Sequence, residues 1–283
     1  MNNKQMFQTP PFSEFFLGST RISMYGVLIS LGFLAAYSAT LILARRSIVS
    51  YHIDRMLLWA VIPAIFFARA LFVAYHLDYF FVHPGEMIAV WQGGWVWHGA
   101  LFGGLFGIFL YSRKNKISLL SLLDICAPGV ALGQAIGRWG NFFNQEAYGL
   151  PTSVPWGIPI DEAHRLPGFE QFSLFHPTFL YESFFDVLLF ISLAVFTLKR
   201  LDPGLRRDDK EREDSTTQKP AALIFFLYLI LYSLGRFGIE FLRIDIVPLA
   251  LGLRAPQWIS AGLIIVGAWG LVWVLRKEKK VVY

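Results

Sequence analysis

The stretch "SLLSLLDICAPGVALGQAIGRWGNFFNQEAYG", Ser118 to Gly149, decides the fold. Its first half is apolar and glycine-striped, with Gly129, Gly133 and Gly137 recurring every fourth residue, the spacing that lets helices in a membrane pack backbone to backbone. Its second half gathers Arg138, Asn141, Asn144 and Glu146 among four aromatic residues and two more glycines, Gly140 and Gly149. A helix that starts at Ser118 and ends near Arg138 is ~30 Å long, the thickness of a hydrocarbon core. The polar groups then fall at one membrane interface.

The rest of the chain repeats the pattern. Hydrophobic residues make up 55% and charged residues 16%, with a mean hydropathy of +0.50; soluble domains carry about 25% charged residues. Seven segments have the length and character of spans: Ile22 to Ala44, Met56 to Leu77, Trp95 to Tyr111, Ser118 to Arg138, Pro177 to Leu198, Ala221 to Phe241 and Gln257 to Leu275. The expected fold is an all-α integral membrane protein, one polytopic domain over residues 1–283.

Orientation follows from the basic residues. Arg45, Arg46 and Arg55 follow span one, and Arg113, Lys114 and Lys116 follow span three. Span five is followed by "LKRLDPGLRRDDKEREDSTTQKP", and the chain closes on Arg276, Lys277, Lys279 and Lys280. The opposite loops hold only Lys4, Arg21, Arg165, Arg243 and Arg254. The positive-inside rule places the amino terminus outside, on the periplasmic side, and the carboxyl terminus in the cytoplasm. Residues 199–220 read as a polar cytoplasmic linker, and residues 139–176, rich in Gly, Pro and aromatics, as a folded outer loop or cap.

The net charge of +5 sits in loops and gives no ground for a nucleic-acid partner. The single cysteine, Cys126, excludes an intramolecular disulfide framework and a cysteine metal cluster, and reads as a small apolar residue. No histidine spacing suits a metal, no glycine-rich phosphate loop follows a strand, and no cofactor is implied. The first twenty residues lack the pattern of a cleavable signal peptide.

Charged residues inside spans are costly and face partners or cavities. On this topology Tyr25, Arg69, His98, Arg138 and Arg236 come from five different spans, and all lie in the outer half of the membrane. In "YSLGRFGIEFLR", Tyr232, Arg236, Glu240 and Arg243 form one helical stripe. An Arg236–Glu240 pair that merely eases insertion leaves Tyr232 and Arg243 unexplained. Guanidinium groups at this depth suit a phosphate, which they bind in planar, bidentate fashion. Arg69, Asp124, Glu182 and Asp186 read as structural, and His176, before Pro177, as a helix-start feature or a site residue.

The motifs "RISMYGVLISLG", "WVWHGALFGG", "DICAPGVALGQAIGRWGNFFNQE", "HPTFLYE" and "RFGIEFLR" stand in the order found in the prolipoprotein diacylglyceryl transferases, and the chain resembles that bacterial inner-membrane family along nearly its whole length. His98 is followed by Gly-Ala where the family more usually has Gly-Gly. The resemblance implies transfer of the sn-1,2-diacylglyceryl group of phosphatidylglycerol to the lipobox cysteine thiol in the signal peptide of a preprolipoprotein. Glycerol 1-phosphate leaves, and the membrane lipids supply the second substrate. It implies His98, Arg138 and Arg236 as catalytic residues. His98 serves either as base for the thiol or as a neutral histidine that orients lipid. Tyr25, Arg138, Asn141, Asn144, Glu146, Gly149, Tyr232, Arg236, Glu240 and Arg243 are the expected substrate-binding residues, with Glu146, Glu240 and Asn141 orienting the arginines. The rival class, a secondary transporter of a small anion, predicts related halves and polar groups near the midplane; neither is visible here.

Overall fold

The computed structural model describes residues 6–10, 12–18, 20–45, 47, 49–201 and 222–281. The expected linker therefore lies outside the described residues, apart from Lys199, Arg200 and Leu201, which end a helix. Two compact units divide the chain: residues 1–43 with 124–283, and residues 44–123.

In the first unit a short hairpin, β1 (Glu14–Leu17) with β2 (Thr20–Ser23), leads into α1 (Met24–Ala44). Beyond the second unit come α5 (Leu119–Gly137), α6 (Trp139–Phe143), a second hairpin of β3 (Ile158–Pro159) and β4 (Leu174–Phe175), and α7 (Thr178–Leu201). The unit closes with α8 (Leu223–Ile239), a third hairpin of β5 (Leu249–Ala250) and β6 (Leu253–Arg254), and α9 (Ala255–Val281). The second unit holds α2 (Ser50–Tyr75), α3 (Leu77–Val82) and α4 (Trp97–Asn115).

Among the described residues, five helical segments are long and apolar enough to cross a membrane: Met24–Ala44, Ser50–Tyr75, Leu119–Phe143, Thr178–Leu201 and Ala255–Lys277. The other two expected spans are also helices. Leu223–Ile239 is apolar but shorter, and Trp97–Asn115 carries Arg113 and Lys114 in its last turn. The protein is a mostly helical, multi-pass membrane protein. The hairpins depart from a purely helical chain; each is a two-stranded link at a helix end.

The glycine stripes do what their spacing predicts. A Cβ on Gly133 would lie 3.0 Å from the Gly32 carbonyl oxygen, and one on Gly32 2.7 Å from that of Gly133, so α1 and α5 touch backbone to backbone. On α4, side chains at Gly99, Gly103 and Gly107 would collide with the Phe67, Pro63 and Trp59 carbonyls of α2. Ala127 and Ala131 of α5, Leu189 and Leu193 of α7, and Ile224 and Tyr228 of α8 form the core that fixes those three helices together. Ser183 adds two polar staples: its Oγ donates to the Ala135 carbonyl at 2.8 Å and accepts from the Trp139 indole at 3.1 Å.

One expectation needs correction. Arg138 does not end the helix: its backbone is helical (φ −58°, ψ −28°), and α6 carries the turn on to Phe143. Gly140 explains why. It is not a helix breaker but a point of contact, since a Cβ there would lie 2.6 Å from the Tyr25 ring. The loop starts only at Asn144.

Candidate anion-binding site

Where α5 meets α6, Arg138 points at the first turns of α7 and the last turns of α8. Its Nε lies 2.6 Å from Glu182 Oε2, and its Nη2 donates to the Tyr232 hydroxyl at 3.2 Å. From α8, Arg236 reaches the same carboxylate, 3.1 Å from Oε1, and pairs with Glu240 at 2.7 Å. Arg243, just past α8, is 3.2 Å from Glu182 Oε1 and 2.6 Å from Asp245. A single carboxylate, 4% exposed, thus gathers three guanidinium groups. Glu182 was read as merely structural; it is the hub of the cluster. Its partners lie 44 to 61 residues away in the chain, so only its setting, an acid inside an apolar span, hinted at a role.

A second tier lies behind. Glu240, 1% exposed, also pairs with Arg254 Nε at 2.9 Å. Arg254 donates to the backbone carbonyls of Arg243 and Asp245, which ties the β5–β6 hairpin to the cluster. The i,i+4 Arg236–Glu240 pair is therefore real but incomplete as an explanation: each partner is shared with another helix or loop.

Asn141 and Asn144 both donate to Glu146, at 3.0 and 3.3 Å. Asn141 and Glu146 thus hold each other, while Glu182 and Glu240 make the direct ion pairs with the arginines. The residues either side of Glu146, Gln145 (φ 51°) and Ala147 (φ 57°), adopt the left-handed conformation that non-glycine residues rarely take. Buried Gln145 pins this turn through a two-way bond with Asp161, donating from Nε2 at 2.6 Å and accepting from the Asp161 amide at 2.7 Å. Strain held this firmly is typical of ligand-facing loops.

Gly149 contributes by size. It bridges to Arg243 across an isolated β-pair, its amide donates to the His176 carbonyl at 2.9 Å, and a Cβ would stand 2.9 Å from the Leu242 carbonyl. Any larger residue must push the chain away from His176, Leu242 and Thr178. Next to it, Tyr148 is buried, donating to the His164 carbonyl and accepting from the Leu166 amide; burial raises its hydroxyl pKa. The His176 Nδ1 lies 3.0 Å from the Tyr181 hydroxyl just ahead of α7, consistent with a helix-start feature. Tyr25 packs on Gly140, beside Asn141.

Tyr25, Asn141, Asn144, Glu146, Gly149, Arg138, Tyr232, Arg236, Glu240 and Arg243 all belong to the first unit. His98 belongs to the second, in the first turn of α4, with its exposed ring 4.2 Å from that of Trp97. Arg69 is also there, and its guanidinium is spent on the backbone carbonyls of Glu86, Met87, Gly93 and Gly94. These bonds fit the structural reading of Arg69. Asp124 fits the same reading: its Oδ1 accepts from the Phe225 amide at 2.9 Å and fixes the start of α8 on α5.

Chemically, the cluster is a partly dry set of guanidinium groups, an arrangement that can hold an anion. Arg138 uses only some of its five N–H donors on protein, and its side chain is 23% exposed, so an arriving phosphate has donors to meet. These features define a multi-pass helical membrane protein with a buried cluster of arginines and carboxylates. Comparison with known proteins is more specific. The family model for prolipoprotein diacylglyceryl transferase matches residues 13–273, and the chain belongs to that family. It is similar to the phosphatidylglycerol--prolipoprotein diacylglyceryl transferase of Gloeobacter violaceus, 40% identical over 269 residues that cover 93% of each chain. Relatives with the same name in Fervidobacterium nodosum and Synechocystis sp. are each 39% identical, over 94% and 96% of this chain and 86% and 92% of theirs.

Proposed function

We propose that this chain transfers the sn-1,2-diacylglyceryl group of phosphatidylglycerol to the thiol of a lipobox cysteine in a preprolipoprotein, the first step of bacterial lipoprotein lipidation. Family membership supports the activity, and the convergence of Arg138, Arg236 and Arg243 on one carboxylate carries the site assignment.

In this assignment Arg138 and Arg236 take the phosphate. The cysteine sulfur attacks the glycerol carbon, and the carbon–oxygen bond to phosphate breaks. As negative charge grows on the departing phosphate, guanidinium donors that are already fixed stabilise it more than they stabilise the bound lipid. Asn141, Asn144, Glu146 and Tyr25 line the head-group side, Tyr232 and Glu240 hold the arginines, and Gly149 keeps the loop seated. His98 is the catalytic residue that meets the incoming thiol. All seven spans cross the cytoplasmic membrane, the amino terminus and the 139–176 cap lie on the periplasmic side, and residues 199–220 lie in the cytoplasm. The basic loops support that orientation.

Reconstitution with phosphatidylglycerol and a lipobox peptide tests the activity. A thioether-linked diacylglyceryl peptide together with glycerol 1-phosphate is expected. Folded, reconstituted protein that yields neither product refutes the proposal.

A further inference from the structure

Asp186 stands one helical turn beyond Glu182 on α7, only 2% exposed, and its Oδ2 has no hydrogen-bond partner among the described residues. An unsatisfied buried polar atom costs about 1–3 kcal/mol, and more when it is charged. Such an atom is retained for a use. Asp186 lines a small cavity with Glu182, Tyr232 and Arg236.

The charges that act on it come from every element packed there: Glu182 on its own helix, Arg138 from α5, and Arg236 from α8, with the Tyr228 and Tyr232 hydroxyls alongside. The other carboxylates of the cluster are spent. Glu182 faces three arginines, Glu240 faces two, and Asp245 holds Arg243. Asp186 alone among them makes no ion pair among the described residues. When it is ionised, four carboxylates balance Arg138, Arg236, Arg243 and Arg254; when it is protonated, the cluster carries one net positive charge.

The transfer reaction, on which this inference rests, needs such a group. The thiol gives up its proton, the sulfur–carbon bond forms, and the carbon–oxygen bond breaks with its electron pair left on the phosphate. A phosphodiester monoanion becomes a monoester dianion, and one proton is released. We propose that Asp186 accepts that proton on Oδ2. The site's total charge then stays constant through the step, because the cluster gains one positive charge as the phosphate gains one negative charge. On this account Asp186, in the unit that carries the arginines, takes the proton.

The test is Asp186→Asn, which keeps the shape but cannot accept a proton, in the full-length protein reconstituted with phosphatidylglycerol and a lipobox peptide. The expected result is a KM for lipid within about threefold of wild type, a kcat lower by about 100-fold, and loss of the acid limb of the kcat–pH profile. Asp186→Gly with added formate should recover several-fold of its lost rate. An Asp186→Asn enzyme with wild-type kcat and an unchanged acid limb overturns the assignment. Loss of activity with a lowered Tm, and no formate rescue of Asp186→Gly, also overturns it and makes Asp186 a packing residue. Should Asp186→Asn not fold, Asp186→Glu decides: an acid limb that does not move is equally fatal. A wild-type enzyme that forms no thioether defeats the transferase assignment instead, a separate result.

Discussion

Arg69 and Arg138 are both arginines in apolar helices, and they show two opposite uses of the same side chain. Arg69 is 7% exposed and makes four bonds to backbone carbonyls of residues 86–94, folding that loop back onto α2. Its donors are nearly used up. Arg138 meets a carboxylate that it shares with two other arginines, and only its Nε and Nη2 make polar contacts among the described residues. A guanidinium saturated by carbonyls is a staple. Guanidiniums that converge on one shared carboxylate suit the proposed anion clamp. Depth alone does not separate them, which is why the sequence grouped Arg69 with the others by position.

The largest expected effect that tests this contrast comes from Arg138→Ala or Arg236→Ala. Each should lower kcat by at least about 10³-fold with the protein still folded, since each removes charged donors aimed at the leaving group. A normal rate in either removes that residue from the clamp. Glu182→Ala comes next: leaving three buried guanidiniums without their shared partner should cost about 3–5 kcal/mol, read as a lowered Tm with nearly complete loss of activity. An unaffected Tm would deny Glu182 its place as hub. Arg69→Met should lower thermal stability by a few kcal/mol, as charged hydrogen bonds are worth about 1.5–3 kcal/mol each. It should leave inhibition by glycerol 1-phosphate unchanged, and altered inhibition would erase the distinction between staple and clamp. The smallest effect belongs to Tyr232→Phe, which loses one acceptor for Arg138 and should cost about 1.5–3 kcal/mol, a fall in kcat/KM of about ten- to a hundred-fold.

Much of this was legible in the sequence because it is local. The glycine stripes announced the helix contacts, and the i,i+4 spacing of Tyr232, Arg236 and Glu240 announced one face of α8. What stayed hidden is what only folding brings together. Glu182, in an apolar span, looked like one acid with no partner in view, yet its partners arrive from α5 and from beyond α8. Arg254 read as a lone loop charge and proved to clasp Glu240. The helix through Arg138 was hidden for a different reason: Gly140 looks like a stop, and only the Tyr25 ring against it shows that the glycine makes room.

The central claim is that Arg138 and Arg236 grip one phosphate as a unit, and a double-mutant cycle on kcat/KM with phosphatidylglycerol tests it most directly. Groups that act together are strongly non-additive. The doubly substituted Arg138→Lys, Arg236→Lys enzyme is expected to be about as impaired as the worse single variant. Losses that simply multiply would mean the two arginines act on separate groups, and would contradict the clamp.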